Sequence, residues 1–239
     1  MNKTYEKYAN VQKVFYEQFR RDIAGMSSAW PYHFHGKFGE WSQFEWIDGM
    51  RAKNNESSAP LKLFQTEGGA CAWRPDFEAT TWVSVMQKLF YSWASGDEGW
   101  LQYSLASDPS AVRTSGGNEG WGLIQSRCFA PRFQYGAWAA VADWFAGCRF
   151  EKSLVALEPG KPLRFVYLFD HPDGKMMTFY SVGSEPVEMQ VASDSKEVLL
   201  IDPMGNPVPR VGKNLRVVLK EYPQYILLKN ASAVEVFFP

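Results

Sequence analysis

Cysteine is scarce in this chain: Cys71, Cys128 and Cys148 are the only three in 239 residues, none sits in a CxxC pair, and an odd number leaves at least one unpaired. A disulfide framework is therefore excluded, and no zinc-binding spacing is offered. Excess charge of one sign is also lacking. With a formal net charge of -1, nothing argues electrostatically for nucleic acid or an anionic membrane as a partner. No apolar run approaches the length that crosses a bilayer, and no signal-peptide hydrophobic region follows Met1.

What the chain does have is apolar and aromatic material. Hydrophobic residues make up 46% and charged residues 21%, the balance of a globular protein able to bury a sizeable core as one large domain or two ordinary ones. Aromatic residues reach 16%, with ten tryptophans, all before Phe150. Such rings stack on the flat apolar faces of ligands, sugars among them, but more often they fill cores.

The periodicity reads in two halves. "YEKYANVQKVFYEQFRRDIAGM" repeats apolar residues at three- and four-residue steps and predicts an amphipathic helix. A chain that opens directly on a helix is expected to lack preceding units. Next, "SSAWPYHFHG" predicts a strand that delivers His33 and His35 to its C-terminal end. "EWSQFEWIDGMRAKNN" predicts a helix, "APLKLFQTEGGA" a second strand, "DFEATTWVSVMQKLFYSWASG" a helix stopped by Gly96, and "GWLQYSLASD" a third strand. "PRFQYGAWAAVADWFAG" predicts a helix with Pro131 near its start and Gly147 past its end. Strands alternating with helices of ten residues or more imply parallel βαβ units, whose sites lie at the C-terminal ends of strands.

From Glu151 the pattern turns to strands alone. "LRFVYLFDHPDGKMMTFYSVG" places two β-rich runs around a "HPDG" turn, and "VEMQVAS", "KEVLLIDPMGNPV", "NLRVVLKEYPQYILLKN" and "AVEVFF" follow at even spacing. Residues 151–239 are expected to form a β-sandwich, with the boundary near Cys148 to Ser153.

Glu67 is the leading candidate for chemistry. A carboxylate at the end of a parallel strand, with glycines behind it so that the backbone turns without crowding, suits a nucleophile or base; a solvated glutamate at a loop start has the same letters. His33 and His35 close the strand one βα unit upstream, within reach of donating to that carboxylate or to a substrate hydroxyl. Two histidines and one glutamate also fit a metal, as an unspecific pattern ranked below sugar chemistry. Trp100 and Tyr103 open the next strand, where aromatic rings either wall a pocket over Glu67 or pack between strand and helix.

The order of "WPYHFHG", "LKLFQTEGG", "GWLQYSLASD" and "EGWGLIQSRCFAPRFQYGAWAAVADWFAG", followed by "VLLIDPMGNPV" and "YPQYILL", resembles the C-terminal half of a clan A glycoside hydrolase. Family 39 and its relatives, which append a β-sandwich to a (β/α)8 barrel, are closest in layout. The resemblance implies a fold of α/β plus all-β class: about the last three βα units of a TIM barrel over residues 1–150, a partial catalytic domain, then the sandwich over 151–239. It implies retaining hydrolysis of an O-glycosyl bond, with Glu67 as the strand-seven nucleophile in a context that Thr66, Glu67 and Gly69 match. His33, His35, Trp100 and Tyr103 are implied as substrate-binding residues. Where the clan carries His-x-Tyr, this chain has His33-Phe34-His35.

Retaining glycosidases need a second carboxylate about 5 Å from the nucleophile, which the clan supplies from an Asn-Glu pair after strand four. That strand precedes the first one here. Asn118-Glu119 has the same letters but falls in the loop after the third strand and reads as surface. The chain is therefore expected to be a poor enzyme alone, or else a non-catalytic carbohydrate-binding or assembly protein derived from such an enzyme. Neither cofactor nor metal is called for. The expected partners are a carbohydrate substrate and, because part of a barrel leaves open edges, the missing barrel half or a second copy.

Overall fold

The computed structural model describes residues 29–34, 41–56, 60–69, 75–106, 122–125, 128–158, 160–183, 185–211 and 214–239. The helix expected before Gly25, together with His35, Cys71 and Asn118-Glu119, lies outside the described residues.

Strands β1 (Ala29–Phe34), β2 (Lys62–Gly68) and β3 (Gly99–Gln102) form a parallel sheet in the order β1-β2-β3. Parallel neighbours need a crossover, and helices α1 (Trp41–Asn55) and α2 (Pro75–Ala94) provide it. Helix α2 opens on proline, which suits a first turn whose N–H groups have no helical partner, and stops before Gly96, whose φ of +85° suits glycine. Beyond β3, helix α3 (Phe133–Trp144) turns Gln134, Ala137, Ala140 and Val141 inward, the spacing of a single helical face.

The buried face of α1 is less apolar than its periodicity suggests. Ile47 is joined there by Arg51 and Asn54. Asn54 takes the place of a strand neighbour for Leu61, donating to its carbonyl at 2.8 Å and accepting from its N–H at 3.0 Å. The Arg51 guanidinium donates to Asp97 at 2.9 Å, and the Tyr32 hydroxyl donates to the other oxygen of the same carboxylate. Ser92 lies 3.2 Å from that hydroxyl. Burial first, and then the Asp97 charge, push the Tyr32 phenol well above its ordinary range. This cluster ties β1, α1, α2 and the α2–β3 turn together, and makes a buried ion pair part of the frame.

The rest of the chain is antiparallel. Strands β4 (Arg149–Ser153), β5 (Leu163–His171), β6 (Gly174–Val182), β8 (Glu197–Ile201), β9 (Pro207–Val211) and β11 (Gln224–Lys229) form a six-stranded sheet in the order β4-β5-β6-β11-β8-β9. Strands β7 (Val187–Ser193), β10 (Asn214–Leu219) and β12 (Val234–Phe237) form a second sheet in the order β10-β7-β12. The "HPDG" turn is a hairpin, with His171 opposite Gly174. Strand β4, largely exposed and five residues long, escapes the sequence reading because its charged residues look like a connection.

The six-stranded sheet is covered on both faces. On one, Val166, Leu168, Phe179 and Ile226 share a cluster with Met189, Val191, Val217 and Leu219 of the second sheet. On the other, Phe165, Tyr167, Phe169 and Tyr225 share a core with residues of α2 and α3. Phe90 meets Phe145 at 5.0 Å between ring centroids, Trp93 meets Phe169 at 4.9 Å, and Phe145 meets Tyr225 at 5.2 Å. Burial on both faces explains why "LRFVYLFDH" reads as a continuous apolar run where a half-exposed strand would alternate. The "DPMGN" turn between β8 and β9 docks on α3, where Trp144 donates to the Gly205 carbonyl at 2.9 Å. Most aromatic residues in this half of the molecule are core, as composition favours, with Phe237 of β12 an exposed exception.

Candidate active site

Parallel strands bring their C-terminal ends to one edge, and there the register places Glu67. Tyr32 pairs with Gln65, but His33 pairs with Glu67, so Thr66 is an extra residue in β2. Such a bulge changes which face the following residue takes. Leu61, Leu63 and Gln65 form one buried stripe, and Tyr32, the register neighbour of Gln65, reaches Arg51 and Ser92 on the helices. In an unbroken strand Glu67 would share that face with Gln65, two residues before it. The extra residue instead aligns Glu67 with His33, one position past Tyr32, and so carries it to the face away from the helices. The Thr66 hydroxyl, 3.4 Å from the Tyr32 carbonyl, sits at the irregularity.

The second boundary of β2 is irregular too. Gln65 pairs with Trp100, and Gly68 with Gln102. The Tyr103 N–H donates to the Gly68 carbonyl at 2.8 Å, extending the contact one residue past β3, and the Tyr103–Ser104 peptide is cis. Trp100 lies across Gly68: a Cβ there would stand 2.1 Å from the indole. The ring also packs on the larger core. Of the two roles open to it, packing is the one its contacts describe, and it shares the face of Gln65. Glycine at 68 is thus required by space for the Trp100 ring.

Three of the expected residues, His33, Glu67 and Tyr103, are therefore brought to adjoining strand ends by backbone register. Trp100 stands behind them, and His35 lies outside the described residues. Glu67 is half-buried. Its N–H donates to the side-chain oxygen of Gln65 at 2.8 Å, and Lys88 of α2 donates to the Gly69 carbonyl at 2.5 Å. Gln65 and Lys88 are both fully buried. Burial pulls the Lys88 ammonium down to about 7. Neither residue stands out in the sequence, and the only trace of them is a polar letter within each apolar stripe. Among the described residues, no group of three or more His, Cys, Asp or Glu is arranged to hold a metal ion.

No family model matches the sequence, and no curated protein is significantly similar to it. The chain does share its fold with a family 39 glycoside hydrolase from the gut symbiont Bacteroides cellulosilyticus, at a TM-score of 0.61 and 20% identity over 76% of this chain. The match spans 37% of that enzyme. Weaker likenesses, too distant to carry weight, are to a family 30 endoxylanase from Clostridium papyrosolvens (TM-score 0.49, 10% identity, 83% of this chain and 48% of that one) and to a family 30 subfamily 8 xylanase from Clostridium acetobutylicum (0.48, 9%, 83% and 48%). At such identities the likeness is one of fold, and fold alone does not carry function.

Proposed function

We propose that this chain is the C-terminal part of a retaining glycoside hydrolase: about three βα units of a (β/α)8 barrel over residues 1–150, followed by a β-sandwich over 151–239. The observation that carries the reading is the bulge that aligns Glu67 with His33 at the C-terminal ends of parallel strands, on a fold shared with a family 39 enzyme. In this reading Glu67 attacks the anomeric carbon and forms a glycosyl-enzyme, which water then hydrolyses. His33 and His35 orient the carboxylate or a sugar hydroxyl, and Tyr103 lines the sugar subsite. Trp100 acts from behind, holding the turn through Gly68. The acid/base carboxylate comes from barrel units that precede β1.

A covering partner belongs to the same proposal. Among the described residues β3 pairs with β2 alone, Leu101 on it is 60% exposed, and Leu105, past the strand where the backbone meets residues 123–124, is 66% exposed. Open edges and exposed leucines favour closure by the rest of the barrel, or by a second copy.

Hydrolysis of a panel of aryl glycosides, by the chain alone and mixed with the upstream barrel units, tests the proposal against Glu67→Gln. A nucleophile is expected to lose on the order of a thousandfold or more in rate; equal rates would remove Glu67 from catalysis. Glycan binding with no hydrolysis by either protein is the outcome expected of a non-catalytic carbohydrate-binding relative. Stoichiometric metal in the purified chain would turn the reading toward a metal site.

A further inference from the structure

Two polar residues interrupt apolar stripes close to Glu67, and both end on the same short piece of backbone. In β2 the buried stripe runs Leu61, Leu63, Gln65. In α2, Val85, Met86, Leu89 and Phe90 are buried around Lys88. A leucine or methionine would serve either core better, since an ammonium or an amide carried out of water costs free energy unless its bonds are made. Gln65 makes one bond and leaves its Nε2 without a partner. Lys88 loses hydration along its whole length, and its lowered proton affinity reflects that cost. Side chains kept at such cost beside a candidate site are where function overrides stability.

What the two side chains hold is the turn itself. At the bulge, register with β1 skips Thr66, and the ladder with β3 is interrupted between Gln65 and Gly68. The Gln65 oxygen takes the Glu67 N–H there at 2.8 Å. Two residues on, the Lys88 ammonium takes the Gly69 carbonyl at 2.5 Å. One contact fixes the start of the segment and the other its end. We propose that Gln65 and Lys88 are positioning residues of this site, a pair of buried clamps that hold the backbone from Glu67 to Gly69 so that the carboxylate keeps its place. The proposal rests on the glycosidase reading for what the carboxylate does, but not for the clamps.

Amide hydrogen exchange resolved by residue tests it, in the wild type, Gln65→Met, Gln65→Glu and Lys88→Met, with global stability followed by urea unfolding. Loss of one hydrogen bond of ordinary net strength is expected to speed exchange about tenfold at Glu67 in Gln65→Met and at Gly68 or Gly69 in Lys88→Met, while Leu63 and Phe64 keep their rates. Global stability is expected to hold or rise, a split that a merely structural role would not give. Gln65→Glu keeps an acceptor oxygen and is expected to preserve protection at Glu67. Unchanged exchange at 67–69 in both methionine variants, or exchange that rises only in step with lost global stability, would overturn the proposal. Glycoside hydrolysis measured on the same proteins reports separately on Glu67: clamps that loosen the turn in a protein without hydrolase activity uphold this inference and remove the catalytic reading.

Discussion

Replacing Lys88 by methionine should change how stability depends on pH, by an amount that follows from burial. The Lys88 side chain is fully buried on α2 and gives up its proton near 7 in the folded protein. In the unfolded chain it keeps that proton to about 10.4. Between those values the unfolded state binds one more proton than the native state, so this residue makes wild-type stability rise with pH, by about 1.4 kcal/mol per pH unit. Below the window both states are protonated, and the buried ammonium is a standing cost. The methionine variant has neither the cost nor the slope. Its stability relative to wild type is therefore expected to fall by about 3 kcal/mol between pH 7 and pH 9.5. Urea unfolding followed by tryptophan fluorescence at a series of pH values measures this, and taking the difference of the two proteins cancels the tyrosines and other groups they share. Parallel curves across that window would refute the reasoning, because they would mean that Lys88 titrates like a lysine in water.

Three further outcomes follow from the packing. Asp97→Asn leaves the Arg51 guanidinium, with 10% of its side chain exposed, without its buried counter-charge and with only the exposed Asp48 carboxylate at 3.6 Å; a loss of about 3 kcal/mol, the low end for one partner of a buried pair, is read from the urea midpoint. Gly68→Ala drives a methyl into the Trp100 indole and should cost about 1 to 3 kcal/mol; most of it should return in the double variant Gly68→Ala/Trp100→Leu, measured as a coupling energy. Phe145→Ala empties the point where α3 meets Phe90, Phe169 and Tyr225, with an expected loss of about 3 to 5 kcal/mol by calorimetry or denaturant.

The course of the chain was legible because its elements carry their own periods. The parallel strands, the helices between them and the "HPDG" hairpin each announce themselves within a dozen residues. The place of Glu67 at the end of β2 was legible for the same reason, as a charge ending an apolar run before two glycines. What stayed hidden depends on partners far along the chain. Arg51 meets Asp97 across 46 positions, and on a helical wheel it is only a cation that spoils an apolar face. The second covering of the six-stranded sheet was equally hidden, since the aromatic residues of α2 and β5 show that they are apolar but not whom they meet. Trp100 shows the limit most plainly, because a ring that stacks on a glycine turn and a ring that stacks on a sugar have the same spelling.

The extra residue at Thr66 has a consequence for any attempt to move or redesign this site. Every group that could act on a substrate would survive the deletion of Thr66, and none would change its chemical character. Yet the strand would fall back into ordinary alternation, and the carboxylate would swing inward to join Leu63 and Gln65 against the helices, off the face it now occupies. Grafting the letters "TEGG" onto a regular strand would fail for the same reason. The site is specified by counting as much as by composition: one more residue on one strand than on its neighbour.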